Sequence, residues 1–313
     1  MRMTLLAALL LQVSGVLSGP DPAQMEKAPD LGYMAVQHSL TLPDGLKWGA
    51  ASSVAFNSAG HMFVFNRGAS PLVEFDQHGA FVRVLGEGRY TRPHGMKIDR
   101  EDNIWTTDVN GHTVTKMNPH GDVVLTLGVK GQPGAWDEAA NTRLLNEPTD
   151  LAFGPSGELF VVEGHGRGEG RVVKFDKTGK FIKSWGGNGT GQGQFNQPHA
   201  IAVDAKGTVY VADRENRRVE IFDADGKYLK EWKFAGLPCG FFLNRDGQLY
   251  MTSGFAGQIL KLDSNGKALA ATGQPGKGLG EFGEAHYMAM APNGDIYVAD
   301  TINAVLHKFV RKH

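Results

Sequence analysis

Three histidines stand at equivalent positions of a repeated sequence and could hold a metal ion. They occur in the runs Pro93-His94-Gly95, Pro198-His199-Ala200 and Ala285-His286-Tyr287. Three neutral imidazoles with one open coordination position form the ligand set of a catalytic Zn²⁺. Each histidine taken alone could equally be a polar loop residue. Their shared position in the repeat favours a site for Zn²⁺ or a similar divalent transition metal.

Two arginines stand at another shared position, in Phe65-Asn66-Arg67-Gly68 and in Asp213-Arg214-Glu215-Asn216. A guanidinium group can hold a carboxylate through two parallel hydrogen bonds, which suits the recognition of an acidic substrate. It can equally form a salt bridge between neighbouring repeats, and Asp213 and Glu215 are suitable partners for Arg214. The sequence leaves both possibilities open.

The repeat that must position these side chains is a polar turn followed by a short strand. An aliphatic residue stands two positions after the turn residue, an aromatic residue three positions after it and a polar residue six positions after it. The turn residues are Gly60, Asp102, Gly157, Gly207, Gly247 and Gly294, and the polar residues are Asn66, Asp108, Glu163, Asp213, Ser253 and Asp300. Spacings of 40 to 55 residues, with 42 glycines to serve the turns, predict a β-propeller.

We therefore predict an all-β fold, a six-bladed β-propeller of four-stranded blades over residues 31–313, with the histidines in blades two, four and six. In blade four the strands are expected over 200–203, 209–212, 218–223 and 227–232. A turn such as Asp223-Ala-Asp-Gly226 separates the third and fourth strands, but it occurs only five times for six blades. The missing outer strand of blade six is expected within Met34 to Leu42, where it would close the ring.

The remaining features concern location and partners. Residues 1–18 resemble a secretory signal peptide and residues 19–30 a polar linker, so we expect a secreted or periplasmic protein without a membrane span. A net charge of −1 argues against nucleic-acid binding, and the single Cys239 excludes an internal disulfide framework. We expect a monomer.

Several runs along the chain resemble one known enzyme family. They are Phe65–Gly68, Pro93–Gly95, Trp105–Val109, Pro148–Asp150 and Val211–Asn216. Together they look like the peptidyl-α-hydroxyglycine α-amidating lyases, which are six-bladed propellers of NHL repeats. The likeness extends over about residues 46–310, essentially the whole predicted propeller.

The resemblance implies a zinc site and a carboxylate site. The family's zinc ligands fall on His94, His199 and His286, and its substrate-binding and catalytic arginines fall on Arg67 and Arg214. Zn²⁺ would make the hydroxyl of a peptidyl-α-hydroxyglycine more acidic, and breaking the C–N bond would give a peptide amide and glyoxylate. The expected partner is a small molecule or peptide that carries a carboxylate.

Two positions depart from the family pattern. Val162–Gly166 replaces the family's catalytic tyrosine, and His165 in this stretch could act as general base because an ordinary imidazole titrates near neutral pH. Tyr287 replaces an Asp that holds calcium in the family together with backbone carbonyls, which argues against Ca²⁺ here. Tyr287 is also an alternative candidate for the base.

Two hypotheses on function follow. The first is an exported zinc-dependent lyase of the hydroxyglycine type, or an enzyme acting on a related α-hydroxy acid derivative. The second is a non-catalytic NHL propeller that binds a peptide, protein or carbohydrate and uses the metal structurally. An open metal position that faces both arginines favours the enzyme, and a filled one favours the binding protein. A lactonase of the other six-bladed type would need acidic metal ligands.

Overall fold

The computed structural model describes residues 22–37, 40–47, 49–166 and 168–312. The predicted signal peptide lies outside the described residues. Of the predicted linker, residues 22–30 are described and lie against blade five. They begin with a 3₁₀ helix over Pro22–Gln24, and the Glu26 amide donates to Gln258 Oε1 at 2.7 Å. No helix in the described ranges is long and apolar enough to cross a membrane.

The described chain forms six four-stranded antiparallel sheets arranged as propeller blades, as predicted. Blade one comprises β2 (Ala51–Phe56), β3 (Met62–Asn66), β4 (Leu72–Phe75) and β5 (Phe81–Leu85), and blade two comprises β6 (Pro93–Ile98), β7 (Ile104–Asp108), β8 (Thr113–Met117) and β9 (Val123–Leu127). A short pair, β10 (Trp136–Asp137) and β11 (Thr142–Arg143), precedes blade three, which comprises β12 (Pro148–Phe153), β13 (Leu159–Glu163), β14 (Arg171–Phe175) and β15 (Phe181–Gly186).

Blade four comprises β16 (Pro198–Val203), β17 (Val209–Asp213), β18 (Arg218–Phe222) and β19 (Tyr228–Lys233), within two residues of each predicted strand boundary. Blade five comprises β20 (Pro238–Leu243), β21 (Leu249–Ser253), β22 (Gln258–Leu262) and β23 (Ala268–Thr272). A second short pair, β24 (Gln274–Pro275) and β25 (Glu281–Phe282), leads to β26 (Ala285–Met290), β27 (Ile296–Asp300) and β28 (Val305–Arg311) of blade six.

The outer strand of blade six comes from the N-terminal segment. Strand β1 (Tyr33–Val36) pairs antiparallel with β28, from Tyr33 opposite Arg311 to Val36 opposite Lys308. The predicted closure of the ring is therefore confirmed, although the strand begins at Tyr33, one residue before the predicted range, and the pairing covers an edge strand that would otherwise be open.

The core lies between neighbouring blades. Six clusters of buried apolar side chains occupy the six blade interfaces. At the last interface, Val54 and Val64 of blade one pack against Ala289 and Ala299 of blade six. Because every blade is packed on both faces, the innermost strands are held in a fixed ring around the axis.

Candidate functional site

In five of the six blades the polar residue that ends the second strand fixes the start of the innermost strand of its own blade, and only the equivalent Ser253 of blade five has no such partner among the described residues. Asp108 accepts hydrogen bonds from the amides of Thr91 and Arg92 at 2.7 Å each, and Asp213 accepts one from the Asn196 amide at 2.6 Å. Asn66, Glu163 and Asp300 make the equivalent contacts in blades one, three and six. We call these polar residues the anchors, because they hold the loop that leads into each innermost strand.

The residue fourteen positions before each anchor lies at the start of an innermost strand, facing the propeller axis. This ring of axial residues consists of Ser52, His94, Thr149, His199, Cys239 and His286. The three histidines therefore alternate around the ring with Ser52, Thr149 and Cys239, and the repeat places all of them at one level.

The three histidine rings pack against one another at the axis. Their centroids lie 4.6 Å (His94 to His199), 4.7 Å (His94 to His286) and 4.9 Å (His199 to His286) apart. All three side chains are at most 1% exposed. Burial and the neighbouring histidines lower the pKa of His94, and burial is the main cause that lowers the pKa of His199 and His286. The site therefore presents neutral imidazoles, the form that binds metals.

Each histidine is oriented by a main-chain carbonyl of the next blade. Nδ1 lies 2.8 Å from the Thr149 oxygen for His94, 2.6 Å from the Cys239 oxygen for His199 and 2.6 Å from the Ser52 oxygen for His286. A carbonyl can only accept, so Nδ1 carries the proton and Nε2 is left with its lone pair. His94 Nε2 is buried without a hydrogen-bond partner among the described residues, as expected for a metal ligand.

Two further side chains bring donor atoms to the histidines. The candidate ligand atoms fall into two overlapping triplets, His94–His165–His199 and His199–Cys239–His286, and within each triplet they lie within 4.8 Å of one another. The Cys239 thiol is buried and lies 3.7 Å from Nδ1 and 4.0 Å from Nε2 of His199. The donor set of imidazoles, with one thiol, suits Zn²⁺ or a similar transition metal.

His165 lies beside the histidine cluster, and its loop is held by a carboxylate. Its ring centroid is 4.9 Å from that of His94 and 5.6 Å from that of His199. Glu147 Oε2 accepts the amides of Gly166 at 2.7 Å and Gly168 at 3.1 Å, which fixes the loop. Sequence reasoning did not identify Glu147 as a residue that positions His165.

The electrostatics around His165 differ from the sequence-based expectation of an ordinary imidazole. Burial lowers the pKa of His165 to about 3, and the positive charges of Arg92 and Arg214 act in the same direction. The ring is therefore neutral at physiological pH but is a weaker base than expected. Arg92, two residues before His94, was not a sequence-based candidate.

Arg67 is half-buried beside the same cluster and has free donors. Its Nε donates to the Pro93 carbonyl at 3.3 Å, and it forms no salt bridge with a carboxylate in the described part of the chain. Burial lowers the pKa of Arg67 to about 10, and the positive charge of Arg92 adds to this effect. An anion placed here would relieve the repulsion between the two guanidinium groups.

Arg214 forms salt bridges with two carboxylates. Its Nη2 lies 2.6 Å from Glu284 Oε1 and its Nη1 lies 3.2 Å from Glu215 Oε1. The side chain is only 4% exposed, and its guanidinium stacks at 5.2 Å from the Phe255 ring centroid. Of the two possibilities left open by the sequence, the geometry of Arg214 is that of a salt bridge between blades. Glu284, which provides its inter-blade partner, was missed although it stands two residues before His286.

Tyr287 extends away from the free Nε2 side of the histidines. Its hydroxyl donates to the His199 carbonyl at 2.6 Å and lies 3.2 Å from the Thr149 carbonyl, and the residue is 1% exposed. The nearest imidazole nitrogen is Nδ1 of His94, at 3.5 Å. The hydroxyl therefore does not reach the open side of the candidate metal centre, where the base would have to act.

Comparisons with known proteins agree with this fold. The sequence family described as "DUF5128: 6-bladed beta-propeller" matches residues 156–258. Among solved structures, "Streptogramin B lyase structure" superposes with a TM-score of 0.65 over 89% of this chain and 98% of that chain. Its sequence identity is 14%, so this likeness concerns the fold.

Curated relatives connect the chain to two kinds of protein. NHL repeat-containing protein 3 of Mus musculus is 37% identical over 185 residues, which are 55% of this chain and 52% of that protein. Peptidyl-alpha-hydroxyglycine alpha-amidating lyase 1 of Drosophila melanogaster is 30% identical over 214 residues, which are 56% of this chain and 38% of that protein. The chain spans about half or less of the length of these relatives. It is thus an NHL-like six-bladed propeller with modest similarity to amidating lyases.

Proposed function

We propose that this protein is an exported, zinc-dependent carbon–nitrogen lyase that acts on a peptidyl-α-hydroxyglycine or a close analogue. One observation carries the proposal: His94, His199 and His286 converge from alternate blades with Nδ1 bound to main-chain carbonyls. Such an arrangement leaves the Nε2 lone pairs available to a metal, and His94 Nε2, which is buried without a partner among the described residues, is costly to keep there without one. Similarity to amidating lyases supports the choice of reaction.

In this proposal His94, His199 and His286 hold the metal through Nε2. A zinc ion in a three-histidine site is a Lewis acid that makes a hydroxyl group more acidic. The main-chain carbonyls of Thr149, Cys239 and Ser52 keep the imidazoles in the required tautomer without any carboxylate at this level of the ring.

Arg67 binds the substrate carboxylate. Its guanidinium lies beside the histidine cluster and forms no salt bridge with a carboxylate in the described chain, unlike that of Arg214. Arg92 contributes positive charge to the same region. Arg214, neutralised by Glu284 and Glu215, holds blade six against blade four instead of contacting the substrate.

His165 accepts the proton of the substrate hydroxyl. As the hydroxyl oxygen becomes the aldehyde oxygen of glyoxylate, the C–N bond breaks and its electron pair remains on nitrogen. The nitrogen then takes up a proton, which His165 can return, so that the peptide amide leaves and no net proton is consumed. Burial is the main cause of the low pKa of His165, and the carboxylate held by Arg67 offsets the smaller contribution of the neighbouring arginine charges.

A second candidate function is a non-catalytic NHL propeller with a structural metal. The observation that favours it is the Cys239 thiol, 4.0 Å from His199 Nε2, which could fill the fourth metal position. Similarity to NHL repeat-containing protein 3, whose name states no activity, fits this function equally. In either case we propose a monomer without a nucleic-acid partner.

Glyoxylate release separates the two functions. The full chain loaded with Zn²⁺ is incubated with α-hydroxyglycine derivatives of several peptides, and glyoxylate and peptide amide are quantified. The lyase proposal predicts equimolar formation of both products, and predicts that a His94→Ala, His199→Ala protein forms neither. Zinc-loaded protein that releases no glyoxylate from any of these peptides would contradict the lyase and leave the binding propeller.

A further inference from the structure

The phenol side chain of Tyr287 crosses the central channel of the propeller next to the three histidines. Tyr287 begins on β26 of blade six, and its hydroxyl donates to the His199 carbonyl of blade four at 2.6 Å while lying 3.2 Å from the Thr149 carbonyl of blade three. Blades three and six are opposite one another in a six-bladed ring. The side chain therefore spans the channel and separates the histidine site from the other face of the propeller.

The ammonium group of Lys97 lies next to the Tyr287 ring. Lys97 Nζ is 5.3 Å from the Tyr287 ring centroid and 3.4 Å from Oδ2 of Asp150, a carboxylate that is fully buried. Asp150 Oδ2 also accepts the Ile201 amide at 3.2 Å. The ammonium, the carboxylate and the phenol thus form one packed group inside the ring, which we call the axial plug: Lys97, Asp150 and Tyr287.

Beyond the axial plug a cavity of about 330 Å³ opens to the opposite face. It is lined by the last residue of every innermost strand: Phe56, Ile98, Phe153, Val203, Leu243 and Met290. Lys97 also lines this cavity, so its ammonium is reached from the face away from the histidines. The axial plug is therefore the boundary between a polar mouth and an apolar one.

The residues at this level do not fit the calcium ion that the resemblance to amidating lyases implies. That ion requires an Asp at position 287 and backbone carbonyls as acceptors. Here position 287 carries a neutral phenol whose O–H donates to the His199 carbonyl, so it offers no carboxylate to a cation. Asp150 Oδ2 is paired with Lys97, whose positive charge would repel a divalent ion, and Oδ1 is buried without a hydrogen-bond partner among the described residues.

We propose that the axial plug replaces a bound cation and closes the propeller channel without calcium. The Tyr287 hydroxyl donates to the His199 carbonyl across the channel, and the Lys97 ammonium supplies the positive charge beside Asp150. The inference concerns the support of the ring and does not depend on the lyase reaction.

Calcium titration of the zinc-loaded chain and of two variants tests the proposal. The protein is depleted of calcium and titrated with CaCl₂ by calorimetry. Its thermal unfolding is then measured without CaCl₂ and with a saturating concentration, on the order of 10 mM. The parent should bind no Ca²⁺, and its Tm should shift by less than about 1 °C. Tyr287→Asp should have a lower Tm that CaCl₂ raises by roughly 3 °C or more. Tyr287→Phe, which lacks only the hydroxyl, should have a lower Tm that CaCl₂ does not raise.

Three results would overturn the proposal. The first is stoichiometric Ca²⁺ binding by the parent, which needs no variant to fold. The second is a folded Tyr287→Asp protein whose Tm is indifferent to CaCl₂. The third is a Tyr287→Phe protein as stable as the parent, since the hydroxyl would then contribute nothing to closing the channel. Zinc content measured on the same samples shows whether the histidine site is intact in each variant.

Discussion

Arg214 and Glu284 form a buried ion pair that ties blade four to blade six, with Nη2 and Oε1 2.6 Å apart. Glu284 also accepts a hydrogen bond from the Thr301 hydroxyl, whereas Arg214 Nε is buried without a partner among the described residues. The two arginines that look alike in the sequence therefore have different surroundings. Arg214 is held between two carboxylates, whereas Arg67 forms no salt bridge in the described chain and is available to bind an anion.

This difference predicts opposite effects of two matched substitutions. Arg67→Ala should raise KM for a carboxylate-bearing substrate by roughly 10-fold or more while the unfolding free energy changes little, because a charge-assisted contact to substrate is lost. Arg214→Ala should lower the unfolding free energy by about 3–5 kcal/mol, because Glu284 is left buried without its counter-ion. Steady-state kinetics and urea unfolding measure the two effects. The reverse pattern would show that Arg214 is the substrate ligand.

His165 is expected to be needed for turnover but not for the metal. His165→Ala should lower kcat by roughly 10²- to 10⁴-fold, the range for loss of a general base, while zinc content stays at the parental value. Tyr287→Phe is the control, because its hydroxyl faces the His199 carbonyl and should leave kcat within a few-fold. Full activity in His165→Ala together with an inactive Tyr287→Phe would instead assign the base to Tyr287.

The closing strand should carry a large share of the stability. Deleting residues up to Leu42 removes β1 and with it Tyr33, which is 6% exposed and packs with Phe282 and Phe309. Loss of this burial and of the ladder with β28 should cost about 3–5 kcal/mol in unfolding free energy. A protein that lacks only residues 1–21 is the control, and Tyr33→Ala tests the contact if the truncated chain does not fold. A truncated protein with the same Tm as the parent would contradict the prediction.

Glu220 should make stability fall as pH rises toward neutrality. Burial raises the pKa of Glu220 to about 7 from the ordinary value of 4.5, although Arg218 acts against this. The folded protein therefore holds a proton that the unfolded chain releases, and the resulting stabilisation is full below pH 4.5 and lost as pH rises through 7. Glu220→Gln keeps a neutral side chain, so its unfolding free energy relative to the parent should increase between about pH 5 and pH 8 by roughly 1–3 kcal/mol.

Urea unfolding of parent and variant at the two pH values measures this difference. Glu231→Gln is the control, because Glu231 also contacts Arg218, at 2.9 Å, but its pKa is lowered by hydrogen bonds to Lys233 and Arg218. The unfolding free energy of Glu231→Gln relative to the parent should not increase at high pH. If the difference in unfolding free energy between Glu220→Gln and the parent is the same at both pH values, the pKa of Glu220 is not raised.

The sequence predicted the scaffold well because the repeat is a local pattern. Turn residues, strand lengths and the fixed distance between anchor and axial residue are all encoded within one blade, and the count of five outer turns pointed to β1. The placement of His94, His199 and His286 at one level follows from the same register. These features needed no knowledge of contacts between blades.

The rest of the site depends on neighbours that the repeat does not encode. Glu284 meets Arg214 only because blades four and six approach each other across the ring. The low pKa of His165 results from burial and from arginines in blades two and four. The direction of Tyr287 is set by carbonyls on the far side of the channel. Each of these relations joins residues more than 45 positions apart in the chain, where periodicity carries no information.

The central claim is that His94, His199 and His286 form a metal centre, and the zinc content of the purified protein tests it most directly. The account predicts about one Zn²⁺ per chain in the parent, and predicts its loss in a His94→Ala, His199→Ala protein that remains folded. Ligand imidazoles must be neutral, so the parent should also release the metal when they become protonated in acid. A parent protein that contains no transition metal and binds none on addition would contradict the account.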